Sequence, residues 1–309
     1  MLSRRSVRIK VMQMLYALRM NEDMNLPFAL KRYENSIEKS FELLIFTMWQ
    51  WLKVAAYAEE EDRFRKNKLR PSAGDLAFRP ILWDNELMRS FSNNQVFLEQ
   101  VKKYKIPNRL DTDNTRQLYR AFAKTEEYKQ YLSDEMEARE ILLFLFKFLI
   151  KSDLFQSILE EHYPTWEDDK SLLIGAGKKI IKALPMEADD AFMLNLYPSE
   201  EAVREFGESL LRQTYEEEKD LQAHINPMLE NWDPKRVAIL DMVLLKLGVC
   251  EFLHFETIPP KVSLNEYVDL AKIYSTDKSK EFVNGLLDRL MKKLKREGKM
   301  LKTGRGLLE

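Results

Sequence analysis

Long intervals without a helix breaker constrain this chain more than any other feature of its sequence. Nine glycines and eleven prolines punctuate 309 residues, and the prolines leave wide gaps between them. Glycine and proline are the residues a helix interior tolerates least, at a cost of about 1 and 3 kcal/mol relative to alanine. Stretches free of both and rich in Leu, Glu, Lys and Met therefore favour helices over sheets, and the chain reads as all-α. The length allows one large domain or two ordinary ones, with enough apolar residues for a sizeable core.

Apolar spacing places the elements. Val7, Val11, Met14, Leu15 and Leu18 fall on one face of a helix from about Arg5 to Met20, as a 3.6-residue period requires. A second stripe, Arg5, Arg8, Met12, Tyr16 and Arg19, would present guanidinium groups and a tyrosine. A long helix is expected over 27–67, then a loop over 66–80 marked by Pro71, Gly74 and Pro80. Further helices are predicted over 84–105, 112–132, 134–162, 167–184 and 188–196. Ser199 reads as the N-cap of a helix reaching Ile225, with Glu200 and Glu201 in its first turn. Asp233-Pro234 reads as a cap followed by proline at the first helical position. Ser263-Leu264-Asn265-Glu266 has the form of a capping box, Ser263 capping and Glu266 reaching back. Phe282, Val283, Leu286, Leu287, Leu290, Met291 and Leu294 mark a last amphipathic helix. The organisation predicted is an N-terminal helical region, 1–199, and a C-terminal bundle, 200–309.

Net charge is formally −1, so any affinity for nucleic acid has to come from local clustering. Both ends are clustered. Residues 1–19 are formally +5 and residues 289–305 formally +7. Cys250 is the one cysteine, which excludes an intrachain disulfide and a thiolate metal cluster and fits a reducing, cytoplasmic setting. The most apolar stretch, Ile141–Ile150, is too short to span a bilayer and contains Lys147, so no membrane role is expected.

Two distant segments then combine. Arg4–Tyr16 (RRSVRIKVMQMLY) is an arginine-rich helix closing on Gln-x-Leu-Tyr. Arg236–Leu287 carries Pro260-Lys261-Val262-Ser263-Leu264-Asn265-Glu266, Asp269-Leu270-Ala271-Lys272 and Phe282-Val283-Asn284-Gly285-Leu286-Leu287. In that order and spacing they resemble the NusB family of transcription antitermination factors over residues 4–19 and, more loosely, 200–298. The resemblance implies two three-helix bundles packed together, the first helix coming from the N-terminus, with the intervening region a long helical insertion. It implies a non-enzymatic factor that binds the boxA element, a single-stranded stretch of ribosomal-RNA leaders, together with the small-subunit ribosomal protein NusE, within the RNA polymerase antitermination complex. Members occur as monomers or dimers, so a homodimer is among the expected states.

Carried onto this chain, the resemblance makes Arg4, Arg5, Arg8, Gln13, Tyr16 and Lys246 the expected RNA-binding residues. Asp241 and Glu251 become the acids expected to face the NusE-type partner. The chemistry agrees: cations grip phosphates, a helix N-terminus favours anions, Tyr16 can stack on a base and Gln13 can meet a base edge. A solvated basic N-terminus with Tyr16 half-buried is the plainer alternative. Three departures from the family pattern, Ser6, Met228 and Cys250, imply altered stacking and a different RNA preference. Asn265, Glu266, Asn284 and Gly285 read as structural, Gly285 needing a closely packed neighbouring helix to justify its cost.

Other signals carry less. Gly175-Ala176-Gly177-Lys178-Lys179 echoes a phosphate loop but lacks its first glycine and its Ser or Thr. His162, His224 and His254 are isolated, so no metal is expected, and no cofactor either. Asp168-Asp169 and Asp189-Asp190 suit helix starts. Phe144, Phe146 and Phe148, with Trp49 and Trp51, read as core or partner surface. Two rival functions remain: a helical protein-binding scaffold without RNA binding, and an accessory domain of an RNA-modifying enzyme. NusB-like domains are also fused to RNA cytosine methyltransferases, but no nucleotide-binding or catalytic-cysteine region follows residue 300.

Overall fold

The computed structural model describes residues 4–229 and 237–307. Among them every regular element is helical. The predicted cap at Asp233-Pro234 lies outside the described residues. None of the described helices is long and apolar enough to cross a membrane.

The chain divides into two compact units. One comprises 38–198. The other joins residues up to Ile37 with 199–309. By this division the first helix groups with residues 199–309 and not with residues 38–198. The physical reason is burial. The apolar face of α1 (Arg4–Met20) has its partners more than 180 residues away in sequence, on the helices that follow Ser199.

The 38–198 unit contains most of α2 (Leu26–Lys66), then α3 (Ala73–Ala77), α4 (Glu86–Ser92), α5 (Gln95–Lys103), α6 (Thr112–Phe122), α7 (Glu126–Leu132), α8 (Ala138–Lys151), α9 (Asp153–His162) and α10 (Trp166–Ala183). Three helices predicted as continuous are each two. Asn94, Thr125 and Ser152 interrupt them, because each side chain accepts from a backbone N–H three residues on and so starts a new helix. The helix predicted over 188–196 is only a 3-10 turn at Leu194–Leu196. The core holds Phe46, Trp51, Phe91, Phe97, Phe122, Phe146 and Trp166, with Phe91 and Phe97 stacked at 4.4 Å. Residues 175–179 lie inside α10, so no phosphate loop exists there. A Cβ on Gly177 would come within 2.3 Å of the Phe146 ring, which explains the small residue. Tyr197 Oη donates to Glu38 at 2.8 Å, so the chain enters and leaves this unit at neighbouring points. A segment with adjacent ends can be accommodated between two parts of another domain.

The second unit is built from α1, the start of α2, a π-helical segment Glu201–Glu208 continuing as α11 (Ser209–Glu216), α12 (Glu218–Ile225), α13 (Ile239–His254), α14 (Pro260–Tyr274) and α15 (Ser279–Arg296). Here α1 packs on 201–216 and on α13, while α13, α14 and α15 pack on one another. Of the two expected three-helix groups, α13, α14 and α15 form one. Ser199 Oγ accepts from the Ala202 N–H at 3.3 Å, the predicted cap. The helix expected to run to Ile225 is interrupted at Glu217, and Pro227 lies in a 3-10 turn, Asn226–Leu229. Gly207 sits under Tyr33, where a Cβ would fall 1.9 Å from the hydroxyl and 2.5 Å from a Val7 methyl. The same hydroxyl donates to the Val203 carbonyl at 2.9 Å.

The capping-box reading of Ser263–Glu266 is corrected. Pro260 opens α14 three residues earlier, since its ring presets the helical φ and lacks the N–H that a helix start leaves unpaired. Ser263 is therefore interior and fully buried. Gly285 is corrected too. No atom lies within 4 Å of where its Cβ would be, and both it and Asn284 are exposed. The close helix contact is at Gly248, where a Cβ would meet Leu287 at 2.6 Å.

Candidate nucleic-acid interface

The first helix lies among its neighbours on nearly every side. Ser6 through Met12, with Met14 and Leu15, are buried, so the predicted cationic stripe is covered along its middle and open at its two ends. Arg8 decides the point. Its side chain is 2% exposed, and it meets the fully buried Glu251 carboxylate in a two-pronged pair, Nε to Oε1 at 2.6 Å and Nη2 to Oε2 at 2.8 Å. Ser263 Oγ donates to the same carboxylate at 2.6 Å, as does the Tyr267 hydroxyl. The guanidinium lies 5.1 Å from the Phe206 ring centroid and 5.8 Å from that of Tyr267.

Burial opposes the charge on Arg8, but the attraction of Glu251 outweighs it and holds the group protonated above its ordinary value. Burial first, then Glu251, push the Tyr267 hydroxyl well above its usual range. These residues form an internal polar knot joining α1, α13 and α14. The expectations that Arg8 grips phosphate and that Glu251 faces a partner are therefore corrected for this structure. Each has its hydrogen-bonding capacity spent inside the bundle.

Asp241 is likewise turned inward. It is 5% exposed, and its two oxygens accept from Ser275 at 2.6 Å and Ser279 at 2.7 Å. It ties the end of α14 to the start of α15 and does not offer a free acid to another protein.

The remaining predicted residues reach the surface. Arg4 and Arg5 are 39% and 37% exposed, Arg4 pairing with Glu201 at 2.9 Å and Arg5 with Asp269 at 3.0 Å. Pairs this open contribute about 0–1 kcal/mol, so a phosphate can displace the carboxylate at small cost. At the other end of α1, Tyr16 and Arg19 are exposed, and Gln13 between them and the N-terminus is half-buried. Arg5 and Arg19 are separated by about 21 Å along the axis, at 1.5 Å per residue.

Lys246 is only 12% exposed. Its ammonium donates to Glu218 at 2.6 Å, and that hydrogen bond, with the charge of Lys246, holds the carboxyl below its usual range. The pair lines a groove of about 820 Å³ together with Arg19, Lys219, Tyr215 and Gln222. Arg19, Lys219 and Tyr215 were not singled out as binding residues from sequence. Arg19 stood in the predicted stripe, but nothing in the chain order places Lys219 and Tyr215 beside it.

The family model described as NusB family matches residues 175–292. The transcription antitermination protein NusB of Salinibacter ruber is 40% identical over 107 residues, 35% of this chain and 67% of that protein. The chain belongs to the NusB family. Proteins of the same name from Chloroherpeton thalassium and Methylacidiphilum infernorum are 44% and 40% identical, over 29% and 31% of this chain. The chain spans 43% of the length of the first and 66% of the second. No solved structure matches. The NusB-family match ends before the last turn of α15, and most of the 38–198 unit lies outside it. Among the described residues no cluster of His, Cys, Asp or Glu is disposed to hold a metal.

Proposed function

We propose that this NusB-family chain is an RNA-binding transcription antitermination factor. It holds a boxA-like single-stranded leader RNA of ribosomal operons in company with a NusE-type small-subunit ribosomal protein, in the cytoplasm and as part of an RNA polymerase antitermination complex. The observation that carries the reading is the surface of α1: Arg4 and Arg5 at one end, Tyr16 and Arg19 at the other, all open on one helix. Cations that exchange weak carboxylate partners for phosphate, and an exposed aromatic face for a base, are what a single strand needs. Lys246 joins from the groove beside Arg19, and Gln13 is near enough to meet a base edge.

Arg8 enters the proposal in a changed role, as the residue that fixes α1 against α13 and α14. Glu251 and Asp241 act in the same way. The NusE-type partner then has to meet other side chains than these two acids. The reading requires no catalysis.

The experiment is RNA binding by the full chain, with Arg4 and Arg5 both replaced by alanine, across a range of salt. Affinity for boxA-like RNA is expected to fall, and the slope of log K against log salt to flatten by about 1.4, at about 0.7 per lost phosphate contact. Unchanged affinity and slope would remove the assignment.

A further inference from the structure

The second cationic cluster of the sequence has no part in the site above. It lies on α15, and its arrangement is ordered. Arg289, Lys292 and Arg296 recur at i, i+3 and i+7, so they share one face of the helix. All three are exposed. The opposite face, Val283, Leu286, Leu287, Leu290 and Leu294, is buried in the bundle, which fixes the basic face outward.

The internal acids do not neutralise this face. Lys292 pairs with Asp288 at 2.7 Å, a local pair on the surface. Arg289 and Arg296 have no carboxylate partner among the described residues. Each donates its Nε to a carbonyl one turn back in its own helix, at 3.3 Å, leaving the terminal nitrogens outward. Cations in a last turn complement the helix dipole, but that effect does not reach Arg289 or Lys292.

We propose that this face of α15 is a second nucleic-acid contact, gripping the phosphodiester backbone of RNA that extends past the element held by α1. It rests on the RNA-binding reading above. It is sequence-independent, because lysine and arginine on a convex helix with no aromatic neighbour contact phosphates, not base edges. The chemistry disfavours the two other takers of a basic surface. No large apolar side chain is exposed between Ser279 and Met300, so the helix has nothing to insert into a lipid interface and no anchor for a protein interface.

The test compares the full-length chain with a variant carrying Arg289→Gln, Lys292→Gln and Arg296→Gln. Two RNAs are used, one holding only the boxA-like element and one extended on both sides by mixed sequence. Thermal melting confirms that both proteins are folded, as expected for exposed substitutions. The variant should bind the short RNA like the parent and the long RNA more weakly. On the long RNA its salt slope should be lower by about 2.1, three contacts at about 0.7 each. Equal affinity and slope on the long RNA, with the parent binding both, overturns this inference alone. A parent that binds neither RNA overturns it together with the function proposed above. Loss of binding to anionic vesicles with RNA binding intact also overturns it, in favour of a membrane surface.

Discussion

Breaking the Arg8–Glu251 pair distinguishes an internal strut from a ligand-facing arginine. In Glu251→Gln the guanidinium keeps its burial and loses the counter-charge on both prongs. In Arg8→Met the carboxylate keeps Ser263 and Tyr267 but loses the guanidinium that pairs with it. Removing one partner of a buried pair costs about 3–5 kcal/mol, because a charge is left uncompensated away from water. For a unit of this size about 4 kcal/mol corresponds to a fall in Tm of about 8–16 °C. The double variant removes both charges, so its cost should lie near that of one single and not near the sum. That leaves a coupling of about 4 kcal/mol, above the range of about 0.5–3 kcal/mol that neighbouring sites usually show. Urea denaturation of parent, both singles and the double supplies the four numbers, with RNA affinity measured on each protein at a temperature where it is folded. Small additive costs, with Arg8→Met abolishing RNA binding in a protein of unchanged Tm, would refute the internal role and return Arg8 to the interface.

Three further outcomes follow from local geometry. The Cys250 thiol is fully buried and burial pushes its pKa up to about 12, so at pH 8 it should stay protonated and react with a disulfide reagent only as the chain unfolds; fast modification of native protein would contradict this. Gly207→Ala should destabilise by about 1–3 kcal/mol through overpacking against Tyr33 and Val7. Gly285→Ala, with open space around the Cβ position, should stabilise by about 0.5–1 kcal/mol, and chemical denaturation reads both. If Gly285→Ala gains stability yet weakens RNA binding, the glycine serves a ligand's approach and not the fold.

Much of the architecture was legible residue by residue. The spacing of Val7, Val11 and Leu15 located α1, and the apolar repeat from Val283 to Leu294 located α15, because a helical period is a local property of the chain. The splits at Asn94, Thr125 and Ser152 were missed for an equally local reason. The apolar period continues across them, while the capping bonds that interrupt the helices depend on a single side chain each. The capping box at Ser263 failed in the opposite way: the pattern was present, but Pro260 had already opened the helix.

The site was legible by type and not by direction. Sequence marked Arg4, Arg5 and Arg8 alike, since a guanidinium one turn along a helix looks the same whatever covers it. Arg4 and Arg5 remain half-open because their carboxylate partners, Glu201 and Asp269, are themselves exposed.

What the sequence determined by itself was composition-level and local: an all-helical chain, two cationic ends, and a C-terminal region that matches one family. Which cations face water was decided only by tertiary structure. Glu251 meets Arg8 from 243 residues away, itself held by Ser263 and Tyr267, and a buried charge is tolerated only where such partners meet it.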